Sequence, residues 1–306
     1  MRIVSDNLIE IDGINTSIAL GTFDGLHVGH RRIIKLAREY SAGIPVMVYA
    51  FENIPAAFFG GCEKAILSHD EKLAVMNTLD IDFLTMVKFD EHIVNMHPTD
   101  FLDYLYHELD AEVITCGYNY TFGKNAEGNP ELIRDFCNKN NIVSAISEPI
   151  MYENEPVSST RIRKALLSGD MESANAMLSY EYLIKGRVSE GKHLGHKIGF
   201  PTANLKFPEE KLVPKNGVYA TRTIIDGIEY PSMTNIGVRP TVENTSVANA
   251  ETYIIDYSGD IYENDITVHF IKFMRDERKF SDMDALKNQL IYDREIALQT
   301  YFSVIK

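Results

Sequence analysis

The stretch Gly21-Thr22-Phe23-Asp24-Gly25-Leu26-His27-Val28-Gly29-His30 (GTFDGLHVGH) follows the apolar run TSIAL, 16–20, and precedes an amphipathic one. It therefore reads as strand, loop and helix start. Three glycines let the backbone approach a ligand, and His27 and His30 stand where the helix begins. Exposed backbone N–H groups and the positive end of a helix dipole draw anions to such a place, so phosphate is the chemistry this loop favours. Two imidazoles three residues apart are also a metal-ligating pair, but no Cys or carboxylate with helical spacing stands beside them to complete a zinc set. Ordinary helix-start histidines are the third reading.

On either side of the loop the pattern is one of short apolar runs separated by helical periodicity. The runs 44–51, 82–89, 111–116 and 142–147 read as buried strands. Ser68 and Glu71 form a capping box, and Asn129 with Pro130 opens a further helix as cap and first residue. Alternation of this kind implies parallel pairing through right-handed crossovers, hence an α/β, Rossmann-like open parallel sheet. Ligands on such sheets bind beyond the carboxyl ends of the strands, where 21–30 falls.

The second half changes character. VSSTRIR, 157–163, reads as a helix start capped by Ser158 or Ser159, with Thr160 as a donor and Arg163 as a fork suited to phosphate. Gly169 closes that helix, and 170–178 is one more helical segment. From Tyr182 strands dominate, and Asp226-Gly227 and Ser258-Gly259 read as tight hairpins. A small closed antiparallel β-barrel follows, with an amphipathic helix from Ser281 presenting Met283, Leu286, Leu290, Ala297, Leu298 and Tyr301. Two domains result, 1–181 and 182–306. Gly186 to Lys192 spells GxxxxGK, but His193 follows and no helix signal does, so it is not a P-loop.

Composition narrows the function. A net charge of −14 argues against a general nucleic-acid binder, and residues 1–182 carry 14 basic against 27 acidic side chains. Half of those 14 stand in two short segments, Arg31, Arg32, Lys35 and Arg38, then Arg161, Arg163 and Lys164, as a polyphosphate site requires. No apolar run reaches the ~18 residues of a membrane span, and the N-terminal stretch lacks the pattern of a leader, so a cytoplasmic protein without a membrane partner is expected. Cys62, Cys116 and Cys137, odd in number and without CxxC, read as buried thiols in a reducing compartment.

GTFDGLHVGH resembles the HxGH signature of the nucleotidylyltransferase superfamily, in the form found in bacterial bifunctional riboflavin kinase/FAD synthetases. Cys116 to Gly123 (CGYNYTFG) resembles that family's G-[DE]-[ND]-F-x-FG element with Asn119 at the polar position, and 157–163 its SSTxIR element. GRVSEGKHLGHKIGFPTANL, 186–205, resembles the riboflavin kinase signature, Asn235 to Thr241 its NIGxRPT, and Met274 to Phe280 its LRxExKF. The resemblance implies phosphorylation of riboflavin with ATP to FMN in the C-terminal domain, then adenylylation of FMN to FAD with release of pyrophosphate in the N-terminal one. It implies His27 and His30 as catalytic, and Gly21, Thr22, Phe23, Asp24, Gly25, Gly29, Asn119, Ser159, Thr160 and Arg163 as ATP or phosphate contacts there. In the kinase half it implies Gly195 and Pro201 at ATP, Thr202 and Asn204 at Mg²⁺, Glu251 as base, and Arg275, Glu277 and Phe280 at the flavin. The partners implied are riboflavin, FMN and ATP.

Read without the resemblance, SSTRIR is a capped basic turn, Thr-Ala-Asn is turn chemistry, and a strand-start glutamate is a solvated surface residue. Two elements depart from the family. Where FxPHP is usual, the chain has Phe51-Glu52-Asn53-Ile54-Pro55, and Tyr118 and Tyr120 replace an acidic residue and a phenylalanine. Two alternatives follow: a kinase with a lost or altered adenylyltransferase half, and a non-catalytic flavin-binding regulator.

Overall fold

A computed structural model describes residues 1–4, 13–61, 64–189, 195, 198–240 and 246–304, with backbone alone at 238–240, 246 and 247. Cys62, Gly191, Lys192, His193 and Thr241, named above, lie outside the described residues. The chain divides into two compact units, Met1–Ser159 and Thr160–Lys306. The division falls at the start of a helix, ahead of the Tyr182 boundary read from the sequence.

The first unit is a six-stranded parallel sheet in the order β1-β4-β3-β2-β5-β6. Its strands are β1 Arg2–Val4, β2 Thr16–Leu20, β3 Val46–Phe51, β4 Phe83–Val87, β5 Ala111–Gly117 and β6 Val143–Ser147. The helices that cross between them are α1 Val28–Tyr40, α2 Pro55–Phe58, α3 His69–Met76, α4 Glu91–Asn95, α5 Pro98–His107 and α6 Pro130–Asn140. β2 is central and wholly buried, and the chain leaves it toward β3 and β4 before returning to β5 and β6 on its other side. That reversal is the switch point at which such sheets open a crevice, and residues 21–30 sit at its lip. β1, three residues pairing in parallel with β4, was not read from the sequence because three residues carry no period.

The local signals act as expected. Ser68 and Glu71 make a reciprocal capping box on α3, and Asn129 caps α6 with Pro130 at its first position. The core gathers Ile18, Leu20, Met47 and Tyr49 of the sheet with Phe101, Leu102, Leu105 and Ile133 of the helices. Each such side chain contributes about 1.5–3 kcal/mol on burial. Cys116 and Cys137 lie in this core as free thiols, pushed up to about 12 by burial.

The first unit ends in a two-residue hairpin, β7 Met151–Tyr152 with β8 Glu155–Pro156, before α7 Ser159–Ser168. The second unit begins on that helix. It holds α8 Met171–Leu178 and an antiparallel sheet in the order β10-β13-β12-β11-β14-β9. Its strands are β9 Leu183–Arg187, β10 Ala203–Lys206, β11 Gly217–Ile225, β12 Ile228–Pro240, β13 Ser246–Ile254 and β14 Asp265–Arg275. The outer strands meet where Ser189 N donates to Asn204 O at 2.9 Å, so the sheet is a near-closed barrel with few bare edges. α8 packs on β14, with Asn175 Nδ2 donating to Phe270 O at 2.8 Å.

One hairpin holds and one does not. Asp226 and Gly227, at φ 50° and 79°, turn β11 directly into β12. Ser258-Gly259 makes no hairpin: β13 ends at Ile254, β14 begins at Asp265, and the two do not pair. Both ladders of β13 are already taken by β10 and β12, so the chain crosses to the far side of β11, farther than a two-residue turn reaches. The terminal helix α9, Met283–Val304, lays Leu290, Ala297 and Leu298 against Phe200, Ala220 and Met233. Met283 is exposed and is not part of that packing. Among the described residues no helix is long and apolar enough to cross a membrane.

Candidate active sites

The loop after β2 is held from below. Phe23, Gly25 and Leu26 all take positive φ, and a Cβ on Gly25 would stand 2.9 Å from the Ile66 side chain, so the turn needs glycine there. Asp24 Oδ1 accepts from Ile66 N at 2.9 Å, and Ser159 Oγ donates to Asp24 O at 2.9 Å. The start of α1 is therefore fixed to two other segments of the unit.

At that helix start His27 is the cap, its Nδ1 accepting from His30 N at 3.4 Å. The acceptor role puts the proton of the neutral ring on Nε2. The two imidazoles stack at 3.7 Å and 17°, and Phe23 lies against His30 at 5.3 Å. Burial lowers His27 to about 4 and holds His30 well below its ordinary value, aided by the neighbouring His27 and Lys72 charges. Both rings are neutral at pH 7, and the buried Nδ1 of His30 has no hydrogen-bond partner in the structure. Among the described residues no group of three or more His, Cys, Asp or Glu could hold a metal ion, so the histidine pair gains no third ligand.

Lys72 of α3, unremarked in the sequence, lies under the loop. Its buried Nζ donates to Phe51 O at 2.8 Å and Thr22 O at 3.1 Å, tying the ends of β3 and β2 together. Burial lowers it to about 8, with Asp24 opposing the shift. A cleft of about 550 Å³ opens over this floor. Gly21, Thr22, His27, Gly29, His30, Asn119 and Ser159 line it, whereas Phe23, Asp24 and Gly25 lie buried outside its lining and shape the loop. Thr160 is exposed on α7 and Arg163 buried on it, both in the second unit.

In the barrel, register brings three residues of the sequence motifs side by side: Asn204 faces Glu251, and Glu251 faces Asn235. Glu251 is half-buried, and Asn204 is buried. Asn204 Nδ2 donates to Thr202 O at 3.3 Å, while its Oδ1 accepts from Asn249 Nδ2 at 3.0 Å, a contact with no sequence signal. Asn235 Nδ2 donates to Glu277 Oε1 at 2.9 Å, which brings the LRxExKF-like segment to the same row. Arg275 is engaged elsewhere, in a forked ion pair with the buried Asp293 of α9 at 2.7 Å, and Phe280 packs under Arg278 at 4.8 Å.

Pro201 and Thr202 open instead onto a second pocket of about 340 Å³, whose wall includes Tyr257, Asp260 and Tyr262 of the loop between β13 and β14. Gly195 is not in its wall but lies against the chain just before Pro201. A Cβ there would meet Phe200 O at 2.0 Å, a clash that only glycine avoids, and Gly195 O accepts from Phe200 N at 2.8 Å.

Comparison with known proteins divides the chain in the same sense. Residues 10–161 match the FAD synthetase family, and residues 178–301 the riboflavin kinase family. The bifunctional riboflavin kinase/FMN adenylyltransferase of Listeria monocytogenes is 31% identical over 92% of this chain and 91% of its own. That of Bacillus subtilis is 30% identical over 98% and 96%, and that of Escherichia coli K12 30% over 94% and 93%. A crystal structure from Streptococcus pneumoniae described as a macrolide-efflux protein is similar with TM-score 0.88 and 26% identity, over 97% of this chain and 99% of that one.

Proposed function

This chain belongs to the bifunctional riboflavin kinase/FMN adenylyltransferase family, and from that membership we propose that it phosphorylates riboflavin to FMN and adenylylates FMN to FAD, using ATP in both steps. The observation that supports the reading is the presence of two constellations, a cleft over the loop 21–30 in the first unit and the row of Asn204, Glu251 and Asn235 in the second, drawn from the motifs of different half-reactions. Adenylylation is assigned to the segment 1–181 and phosphorylation to 182–306.

In the first reaction Glu251 takes the proton of the riboflavin primary hydroxyl as its oxygen attacks the γ-phosphorus of ATP, and the bond from that phosphorus to the β,γ-bridging oxygen breaks with ADP leaving. Its place beside Asn204 and Asn235 supports that role, and the 340 Å³ pocket that Thr202 shares with two tyrosines supports a seat for the nucleotide. Thr202 and Asn204 supply neutral, hard oxygen donors, few in number, the set that suits Mg²⁺ held chiefly by ATP phosphates. When bound, the ion neutralises charge that develops on those phosphates. Arg275, Glu277 and Phe280 frame the flavin side, Arg275 through its fixed position on Asp293.

In the second reaction the FMN phosphate is already a nucleophile and attacks the α-phosphorus of a second ATP, breaking the bond to pyrophosphate. His27 and His30, neutral and buried, offer N–H donors to the phosphates without the cost of carrying charge themselves. Gly21, Thr22, Gly29, Asn119 and Ser159 line the same cleft, and Thr160 and Arg163 are assigned to the phosphates from α7. A cytoplasmic location fits two ATP-consuming steps.

The departure at Phe51–Pro55 keeps one alternative in view, a kinase whose adenylylation is lost or altered. Supplying FMN, ATP and Mg²⁺ and assaying FAD and pyrophosphate decides it: equimolar FAD and pyrophosphate are expected, and a folded chain that converts riboflavin but not FMN would establish the alternative.

A further inference from the structure

Of the described residues that line the cleft over the loop 21–30, Lys124 and Glu148 are the two with formal charge, both exposed and opposite in sign. His27 and His30 are neutral at pH 7. The substrates of adenylylation are not, since the FMN phosphate alone carries about −1.5 to −2. A cation stands directly behind this wall. Lys72 does not line the cleft, but its Nζ donates to Phe51 O at 2.8 Å and to Thr22 O at 3.1 Å, and both of those residues do.

The structure around Lys72 holds that charge in place. The lysine stands on α3, whose start is pinned by its capping box, Glu71 Oε2 accepting from Ser68 N at 2.8 Å. Past β3, Asn53 Nδ2 donates to Phe89 O at 3.0 Å and Phe89 N donates to Asn53 Oδ1 at 2.8 Å, which joins the chain after β3 to the chain after β4. The carboxyl ends of β2, β3 and β4 thus form one tied edge with the ammonium inside it. Burying a charge costs far more than burying an apolar side chain of the same length, and such groups concentrate at functional sites. Two ionisable groups face it from neighbouring segments. Asp24 of the loop favours the ammonium against burial, and the ammonium, after burial and His27, helps to hold His30 of α1 neutral. We infer that Lys72 is a positioning residue of the adenylylation step, bracing the backbone of Thr22 at the phosphate loop and setting one fixed positive charge beneath the reacting phosphates. The assignment rests on the adenylylation reading above.

In the free chain Lys72 loses its proton as pH rises through about 8, whereas the phosphates of FMN and ATP have shed their last protons by about pH 7. The test follows kcat/KM for ATP in FAD formation from about pH 7 to about 10, a quantity that reports groups of the free enzyme. It compares wild type, Lys72→Met and Lys72→Arg, with riboflavin phosphorylation by the same chains, expected to be unchanged, as the internal control. Wild type is expected to lose activity as pH rises through about 8. Lys72→Met is expected to lack that alkaline limb and to show kcat/KM about tenfold lower at neutral pH, the order for a unit charge acting across ~10 Å of protein. Lys72→Arg, whose guanidinium stays charged, is expected to keep forming FAD above that pH. A wild-type profile without the limb, the same limb in Lys72→Met or Lys72→Arg, or an unchanged kcat/KM in Lys72→Met overturns the assignment alone. A wild-type chain that forms no FAD overturns the adenylylation reading and this assignment with it.

Discussion

At the scale of single residues, the proposed adenylylation chemistry draws on groups whose charge the fold has decided. His27 titrates at about 4 in the folded chain against an ordinary 6.5, because burial penalises the charged ring. Between those values the unfolded chain binds more protons than the folded one, so stability falls as pH drops from about 6.5 through about 4. His269, lowered to about 4 by burial and by Arg222, adds a loss of the same sign in the second unit. Calorimetry is expected to show Tm falling across that window, less steeply for the first unit in His27→Gln. His30→Ala is expected to slow FAD formation from FMN by about a hundredfold or more, the usual cost of one preorganised donor, while FMN formation continues. Glu251→Ala is expected to do the reverse when FMN is supplied. Assays of each half-reaction check both. The histidines and Glu251 could be picked out in the sequence as candidates because their motifs are contiguous. Lys72, Asn53 and Asn249 could not, since each acts on a strand or loop distant in sequence.

At the scale of elements, capping and pairing set what the sequence could reveal. The Ser68–Glu71 box was legible because its spacing is local, and Ser68→Ala is expected to cost about 1 kcal/mol of stability in denaturant unfolding. β1 and the crossover from β13 to β14 were illegible for the opposite reason. A three-residue strand has no period, and Ser258-Gly259 has turn chemistry whatever β13 pairs with. α9 was legible as an amphipathic helix, but its anchor was not: the fork of Arg275 on buried Asp293 joins two segments whose charges look like surface charges in sequence. Asp293→Ala leaves a half-buried guanidinium unpaired and is expected to destabilise the barrel unit by about 3 kcal/mol, read as a lower denaturant midpoint for loss of kinase activity.

At the scale of the whole molecule, the FAD synthetase match over 10–161 and the riboflavin kinase match over 178–301 follow one another along the chain, and FMN is the product of one reaction and the substrate of the other. The order of the motifs along the chain made both folds legible; the Ser159/Thr160 division was not, because α7 continues the helical pattern across it. Removal of Mg²⁺ with EDTA is expected to stop FMN formation, with recovery on adding the ion back, checked by flavin chromatography. The most direct measurement gives the purified chain riboflavin, ATP and Mg²⁺ and resolves the flavins over time. FMN that rises first and is then converted to FAD is the expected result, whereas riboflavin left unchanged by a folded chain would contradict the account.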